Sequence, residues 1–198
     1  MSKFGSKSAV IERSAESETE FARNERFLEQ LCDIVGRRYV LTGSDALLRF
    51  TVGHRTGSGD AVAAVLPGSL FQLWQIALSC MRADKILIMQ AANTGLTGGS
   101  TPFGEYDRDV VVVNTLRLKG VRPILNGKQV VCMPGATLYE LEDQLRPYNR
   151  SPHSEIGSSC IGASVFGGVC NNSGGALVQR GPAYTEAAVF AQVDANGE

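Results

Sequence analysis

Apolar residues first return at helical spacing after a polar leading stretch. Phe21, Phe27, Leu28, Leu31, Ile34 and Val35 share one face of a helix that Ser17 and Glu20 open as a capping box and Gly36 ends. The period then changes. Ala61 to Leu66 is a continuous apolar run stopped by Pro67-Gly68, and behind it Leu70, Leu73, Trp74, Ala77, Leu78 and Met81 recur at helical spacing as far as Asp84. This pattern predicts a strand, a turn and a core-facing helix. Ile86 to Met89 is a second short buried strand running directly into the loop Gln90 to Ser100, which makes a βαβ unit with a glycine-rich exit.

Val110 to Val113 predicts another strand, and Val121 to Leu125 pairs with Gln129 to Met133 across Asn126-Gly127, a strong hairpin signal. Pro134-Gly135 closes the hairpin. Leu138, Leu141 and Leu145 mark a short amphipathic helix ending before Pro147, because proline disfavours helical geometry in the residue ahead of it. A second glycine-rich tract runs from Gly157 to Gly175. Ala187 to Val193 then reads as a strand feeding the turn Asp194 to Gly197 with no returning strand, so the chain is expected to stop in mid-hairpin as part of a longer polypeptide. Residues 1–20, rich in Ser, Lys and Glu without apolar periodicity, are expected to be a disordered tail.

Composition narrows the function classes. The net charge of -1 and the lack of any Lys/Arg run leave no electrostatic footprint for nucleic acid or anionic lipid. No apolar run approaches a bilayer span, and the polar N-terminus does not read as a secretory signal. The five cysteines, Cys32, Cys80, Cys132, Cys160 and Cys170, contain no C-x-x-C pair, which argues against a disulfide framework or a zinc site and fits a reducing cytoplasmic setting. No metal site is expected.

The unusual feature is glycine, at 22 of 198 residues and concentrated in two patches. A diphosphate binds where backbone N–H groups converge without side chains in the way, which favours glycine and small residues. Ala91, Ala92, Asn93, Thr94, Gly95, Gly98, Gly99 and Ser100 meet that need directly after a buried strand, and the hydroxyls of Thr94, Thr97 and Ser100 add donors. Neither G-x-G-x-x-G nor a P-loop sequence occurs, so the platform is of another kind. The second tract has six glycines and no charge, which suits the edge and face of a flat ring system better than a metal. Tight turns in a loop-rich α+β protein are the bland alternative for either tract alone.

At these residues a resemblance becomes specific. Gln90-Ala91-Ala92-Asn93-Thr94-Gly95-Leu96-Thr97 with Gly99-Ser100, then Asp107 to Val111 and Thr115-Leu116-Arg117-Leu118, resembles the D-lactate dehydrogenase branch of the p-cresol methylhydroxylase/vanillyl-alcohol oxidase flavoproteins. So does Ile156 to Val165, continuing through Asn171-Asn172-Ser173-Gly174-Gly175 to Gln179-Arg180-Gly181-Pro182-Ala183-Tyr184-Thr185-Glu186. The resemblance covers roughly Phe27 to Asn196.

It implies an α+β, two-subdomain FAD-binding domain over residues 21–198, truncated on its C-terminal side, with the substrate domain absent and the dinucleotide extended between the subdomains. Ala91, Ala92, Asn93, Thr94, Gly95, Gly99 and Ser100 would hold the pyrophosphate, and Gly157, Ser164 and Gly174 would touch FAD. The implied reaction is oxidation of D-lactate, or a related 2-hydroxy acid, to pyruvate, with hydride passing to flavin N5 and electrons onward to a membrane quinone. Peripheral attachment to the cytoplasmic side of the inner membrane, through regions absent here, goes with it. An isolated flavin-binding fragment without activity is the alternative. Catalytic residues would lie beyond Glu198. Gly98 departs from the pattern.

Other readings are weaker. His54 or His153 could serve as a covalent flavin anchor in other branches, but the branch resembled holds FAD noncovalently, and a solvated or hydrogen-bonded structural histidine is the plainer role. Cys160 near His153 in sequence is not the spatial pairing of a thiol nucleophile. Gly162-Ala163-Ser164-Val165-Phe166 has phenylalanine where a nucleophile elbow needs glycine.

Overall fold

The computed structural model describes residues 21–152, 160–171 and 173. The expected tail, and the expected final strand at Ala187 to Val193, lie outside them.

A four-stranded sheet forms the first unit, in the order β1-β2-β4-β3, where β1 is Val40–Leu41, β2 Ala63–Val65, β3 Ile86–Gln90 and β4 Val110–Asn114. β1 runs antiparallel to β2, while β2, β4 and β3 are mutually parallel. The βαβ unit of the sequence is therefore present with a difference: its two strands are not neighbours, because β4 is inserted between them. That central place explains the unbroken apolar run of β4, all five residues of which are buried.

Side chains alternate across the sheet. Ala63, Val65, Val111 and Val113 face one side, packed on Phe27, Leu31 and Val35 of α1 (residues 21–35) and on Ile76 and Cys80 of α3 (Leu70–Arg82). Ala64, Val110 and Val112 face the other, against Leu47 and Phe50 of α2 (Ser44–Thr51). Each such fully buried branched side chain contributes on the order of 1.5–3 kcal/mol relative to exposure. Gly36 ends α1 with φ 88° and ψ 140°, a backbone conformation that suits glycine, its N–H donating to the Cys32 carbonyl.

Two sequence expectations need correction. Phe21 lies on α1 but is exposed, and Leu70, Trp74 and Met81 point outward from α3, whose buried line is instead Ile76, Ser79 and Cys80 with Leu73 partly buried. The reason is a helix apolar on several sides, so that spacing alone does not select the face that meets the sheet. α2, absent from the sequence reading, follows Gly43 at φ 85° and leads into the loop 52–59.

The second unit is the hairpin of β5 (Val121–Ile124) and β6 (Gln129–Cys132), with α4 (Leu138–Leu145) and α5 (Val165–Cys170). Leu125, Asn126 and Gly127 all have positive φ and the Lys128 N–H donates to the Leu125 carbonyl, so the hairpin turns at the expected Asn-Gly pair but the strands end one residue earlier, at Ile124 paired with Gln129. Leu138, Leu141 and Leu145 pack with Ala163 and Val165 over Val121, Val130 and Cys132. Thr137 and Glu140 form a reciprocal capping box at the start of α4. Two hydrophobic clusters on the first sheet and one here give the expected two-part α+β arrangement. No described helix is long and apolar enough to cross a membrane, and none of the five cysteines forms a disulfide.

Candidate functional site

Gln90 and Asn114 end the adjacent parallel strands β3 and β4 in direct register. The glycine-rich loop leaves the sheet from Gln90, at the carboxyl edge where parallel α/β layers bind ligands. Both amides are buried, and their hydrogen bonds define the base of the loop.

Gln90 Nε2 donates to the Phe50 carbonyl at 2.9 Å and to the Ser100 carbonyl at 2.7 Å. Its Oε1 faces Asn114 Nδ2 at 3.4 Å, and that same Nδ2 donates to the Ala91 carbonyl at 2.8 Å. Phe50 belongs to the last turn of α2, where carbonyls have no intrahelical N–H left to take. Asn93, in the left-handed region at φ 56°, adds an upper tie. Its Nδ2 donates to the Val52 carbonyl, and its Oδ1 accepts from the hydroxyls of Ser100 and Thr101. The loop is thus fastened at both ends to the sheet and along its flank to the end of α2.

What the loop leaves open is its main chain. Among the described residues, none accepts a hydrogen bond from the N–H groups of Ala92 through Ser100. The glycines divide into two kinds. A Cβ on Gly53 or Gly135 would overlap the carbonyl oxygen of Thr56 or Thr115, so the protein's own packing requires those glycines. A Cβ on Gly95 or Gly99 would meet nothing closer than 3.9 Å or 3.8 Å respectively, and neither has positive φ. Their smallness therefore leaves open space and serves no internal contact, which fits a group approaching the backbone from outside. Gly98 has φ 75° and its carbonyl accepts the Thr101 N–H, so it builds a turn. Of the three hydroxyls expected as ligand donors, Thr97 and Ser100 are engaged within the protein, while Thr94 has no hydrogen-bond partner among the described residues.

The second tract is described from Cys160 to Asn171 and at Ser173. Ser164 is buried; its Oγ caps α5 by accepting the Gly167 N–H at 3.0 Å, and its backbone bridges Thr137. The hydroxyl proton of Ser164 is not used by that cap. Gly157 and Gly174 lie outside the described residues. The two tracts meet: Thr97 Oγ1 donates to Asn171 Oδ1 at 3.2 Å.

The remaining motif residues have structural partners. Lys85 Nζ lies 2.5 Å from Asp109 Oδ2 and 2.6 Å from Asn24 Oδ1, tying α1 to the amino edge of the sheet. Arg108 pairs with Asp84 and Asp107, and these contacts raise its pKa further above the ordinary guanidinium value. The Arg117 guanidinium stacks on Tyr39 and donates to the Leu66 carbonyl. A cleft of 1290 Å³ opens beside Lys85 and Asp109, at the opposite edge from the glycine loop, and none of the loop residues lines it. His54 is exposed on the loop after α2, and His153 lies outside the described residues. Burial pushes the Cys80 thiol up to about 12, with Lys85 pulling weakly the other way, and also raises Cys132 and Cys170.

Gln90 and Asn114 are the residues that motif reasoning passed over. The available signal was a polar amide ending each of two apolar strand runs, Ile86–Gln90 and Val110–Asn114, where burial makes an amide costly unless it is bonded.

A family model described as FAD binding domain matches residues 61–198. A quinone-dependent D-lactate dehydrogenase of Haemophilus influenzae is 57% identical over 175 residues, covering 88% of this chain and 31% of the relative. That of Escherichia coli K12 is 56% identical over 176 residues, with the same two shares of 88% and 31%. The solved structure of p-cresol methylhydroxylase with substrate bound superposes with a TM-score of 0.61 at 17% identity, over 76% of this chain and 30% of that one. The chain thus spans about a third of the length of the curated relatives it matches.

Proposed function

Because the chain belongs to the FAD binding domain family, we propose that main-chain N–H groups of Ala91, Ala92, Asn93, Thr94, Gly95, Gly99 and Ser100 grip the FAD pyrophosphate. Gly157, Ser164 and Gly174 then lie along the cofactor on its other side. The observation that carries this reading is the Thr97–Asn171 hydrogen bond, which puts the open backbone loop beside the second glycine tract. The loop carries no charged residue, so it meets the diphosphate with oriented neutral dipoles, whose strength grows where water is excluded.

The activity we propose is the whole protein's: oxidation of D-lactate, or a close 2-hydroxy acid, to the keto acid, with quinone as the electron acceptor. Bound FAD supplies the two-electron acceptor for that oxidation. This chain's part is to bind and orient the cofactor; the acid–base groups of the reaction belong to polypeptide not present here. Peripheral association with the cytoplasmic face of a membrane belongs to the same proposal.

A narrower reading, a flavin-binding module inactive by itself, is favoured by length, since the relatives named for the activity are about three times as long. Purified protein incubated with FAD and desalted discriminates the outcomes. A yellow protein that bleaches anaerobically with D-lactate supports the dehydrogenase, and a yellow but unresponsive one supports the module. A colourless protein overturns the binding site.

A further inference from the structure

We propose that Gln90 is the positioning residue that holds the phosphate loop in its ligand-ready shape, with Asn114 as its support; this rests on the cofactor site proposed above. Gln90 is 3% exposed and Asn114 2%, yet neither side chain faces open space where a ligand could touch it. Both amide protons of Gln90 are committed, one to the Phe50 carbonyl and one to the Ser100 carbonyl. Asn114 holds the opposite root of the loop at the Ala91 carbonyl, while its own Oδ1 accepts the Leu116 N–H. The two amides therefore join the first and last residues of the loop to each other and to the free carbonyl end of α2.

The purpose of such a clasp follows from the open main chain above it. Backbone N–H groups serve a diphosphate only if they are already aimed when it arrives, because ordering a glycine-rich segment at the moment of binding costs affinity. Glycine supplies the open approach and removes the stiffness, and Gln90 restores it. A glutamine is suited to the place because it offers two donors and one acceptor at one point. A glutamate of the same shape has no donor when ionised, and when protonated it has one.

The experiment uses the full chain and its Gln90→Glu and Gln90→Leu variants, with FAD affinity followed by flavin fluorescence between pH 5 and 8, and amide exchange measured without FAD at Thr101, Thr115 and Leu116, whose N–H groups are hydrogen-bonded at the roots of the loop. Burial beside two carbonyl oxygens raises the introduced carboxyl above its ordinary value near about 4.3, so the titration falls within this range. Wild-type affinity is expected to be flat. Gln90→Glu is expected to bind FAD at least tenfold more weakly at pH 8 and to recover several-fold toward pH 5. Gln90→Leu is expected to be weakened at every pH.

Exchange of these bonded amides at the roots of the loop, corrected for intrinsic pH dependence, should quicken in Gln90→Glu as pH rises over the same interval. If wild type binds no FAD, the cofactor site fails, and the exchange pattern still decides the clasp. Loop exchange and affinity unchanged in both variants, or a Gln90→Glu defect equal at all pH values and matched by a general loss of melting temperature, would overturn the proposal.

Discussion

The Thr97 hydroxyl donates to Asn171 Oδ1 at 3.2 Å, joining two segments 74 positions apart in sequence. Thr97 stands on the glycine loop above β3, and Asn171 directly follows α5 in the second unit. An exposed, neutral hydrogen bond of this kind contributes about 0.5–1.5 kcal/mol. Thr97→Val and Asn171→Ala should each weaken FAD binding by up to roughly tenfold, and the double variant should be no weaker than the worse single one. Fluorescence titration of the three proteins gives the coupling; strictly additive losses would show that the two residues act separately.

The two kinds of glycine should separate in mutagenesis. Gly95→Val or Gly99→Val should abolish flavin retention and change stability by no more than about 0.5 kcal/mol, since the added side chain enters open space. Gly53→Ala should destabilise the chain by about 1–3 kcal/mol, because the new methyl must displace the Thr56 carbonyl. Gly98→Ala should cost about 1 kcal/mol through its positive φ. Thermal melts with and without FAD, alongside flavin content, check all four; flavin retained by both valine variants would sink the assignment of the loop.

Cys80 should report on alkaline stability. Its thiol is held up to about 12 from an ordinary 9.0. Between those values the native chain keeps a proton that the unfolded chain has released, so rising pH favours unfolding. The contribution is complete below about pH 9 and is lost progressively as pH rises toward about 12. Cys80→Ala should flatten that slope in denaturant titrations, and in wild type a thiol reagent at pH 8 should reach Cys80 only after unfolding.

Lys85 and Asp109 offer a control at the far edge of the sheet. Their side chains are 13% and 33% exposed, and Asn24 bonds both. Lys85→Met leaves the carboxylate without its cation and should cost about 1–3 kcal/mol. FAD affinity of the folded protein should stay at the wild-type value, because nothing in this trio touches the glycine loop. A loss of affinity out of proportion to the loss of stability would contradict that separation.

Much of this molecule can be read from its sequence, and the exceptions have physical causes. The strands Ala63–Val65, Ile86–Gln90 and Val110–Asn114 stand out because buried parallel strands are short unbroken apolar runs. The Asn126-Gly127 hairpin stands out because few residue pairs tolerate two successive positive φ values. The inward face of α3 does not, because Leu70, Phe71, Trp74 and Met81 make its outer side as apolar as the side carrying Ile76 and Cys80. α2 is short, and its apolar residues Ala46, Leu47, Leu48 and Phe50 span barely more than one turn, too few to establish a period. The open main chain of the glycine loop was legible in its small residues, but the buried amides at its base were not. A glutamine at a strand end looks like the first polar residue of a loop until the fold shows it buried among carbonyls.

The insertion of β4 between β2 and β3 also governs how a nascent chain can assemble. Until residue 114 has left the ribosome, β2 and β3 each present an unsatisfied parallel edge toward an empty slot. The connection that fills the slot contains the whole glycine loop. Sheet closure and loop closure are therefore coupled, and while β4 is out of place two strand edges stay open to wrong pairing.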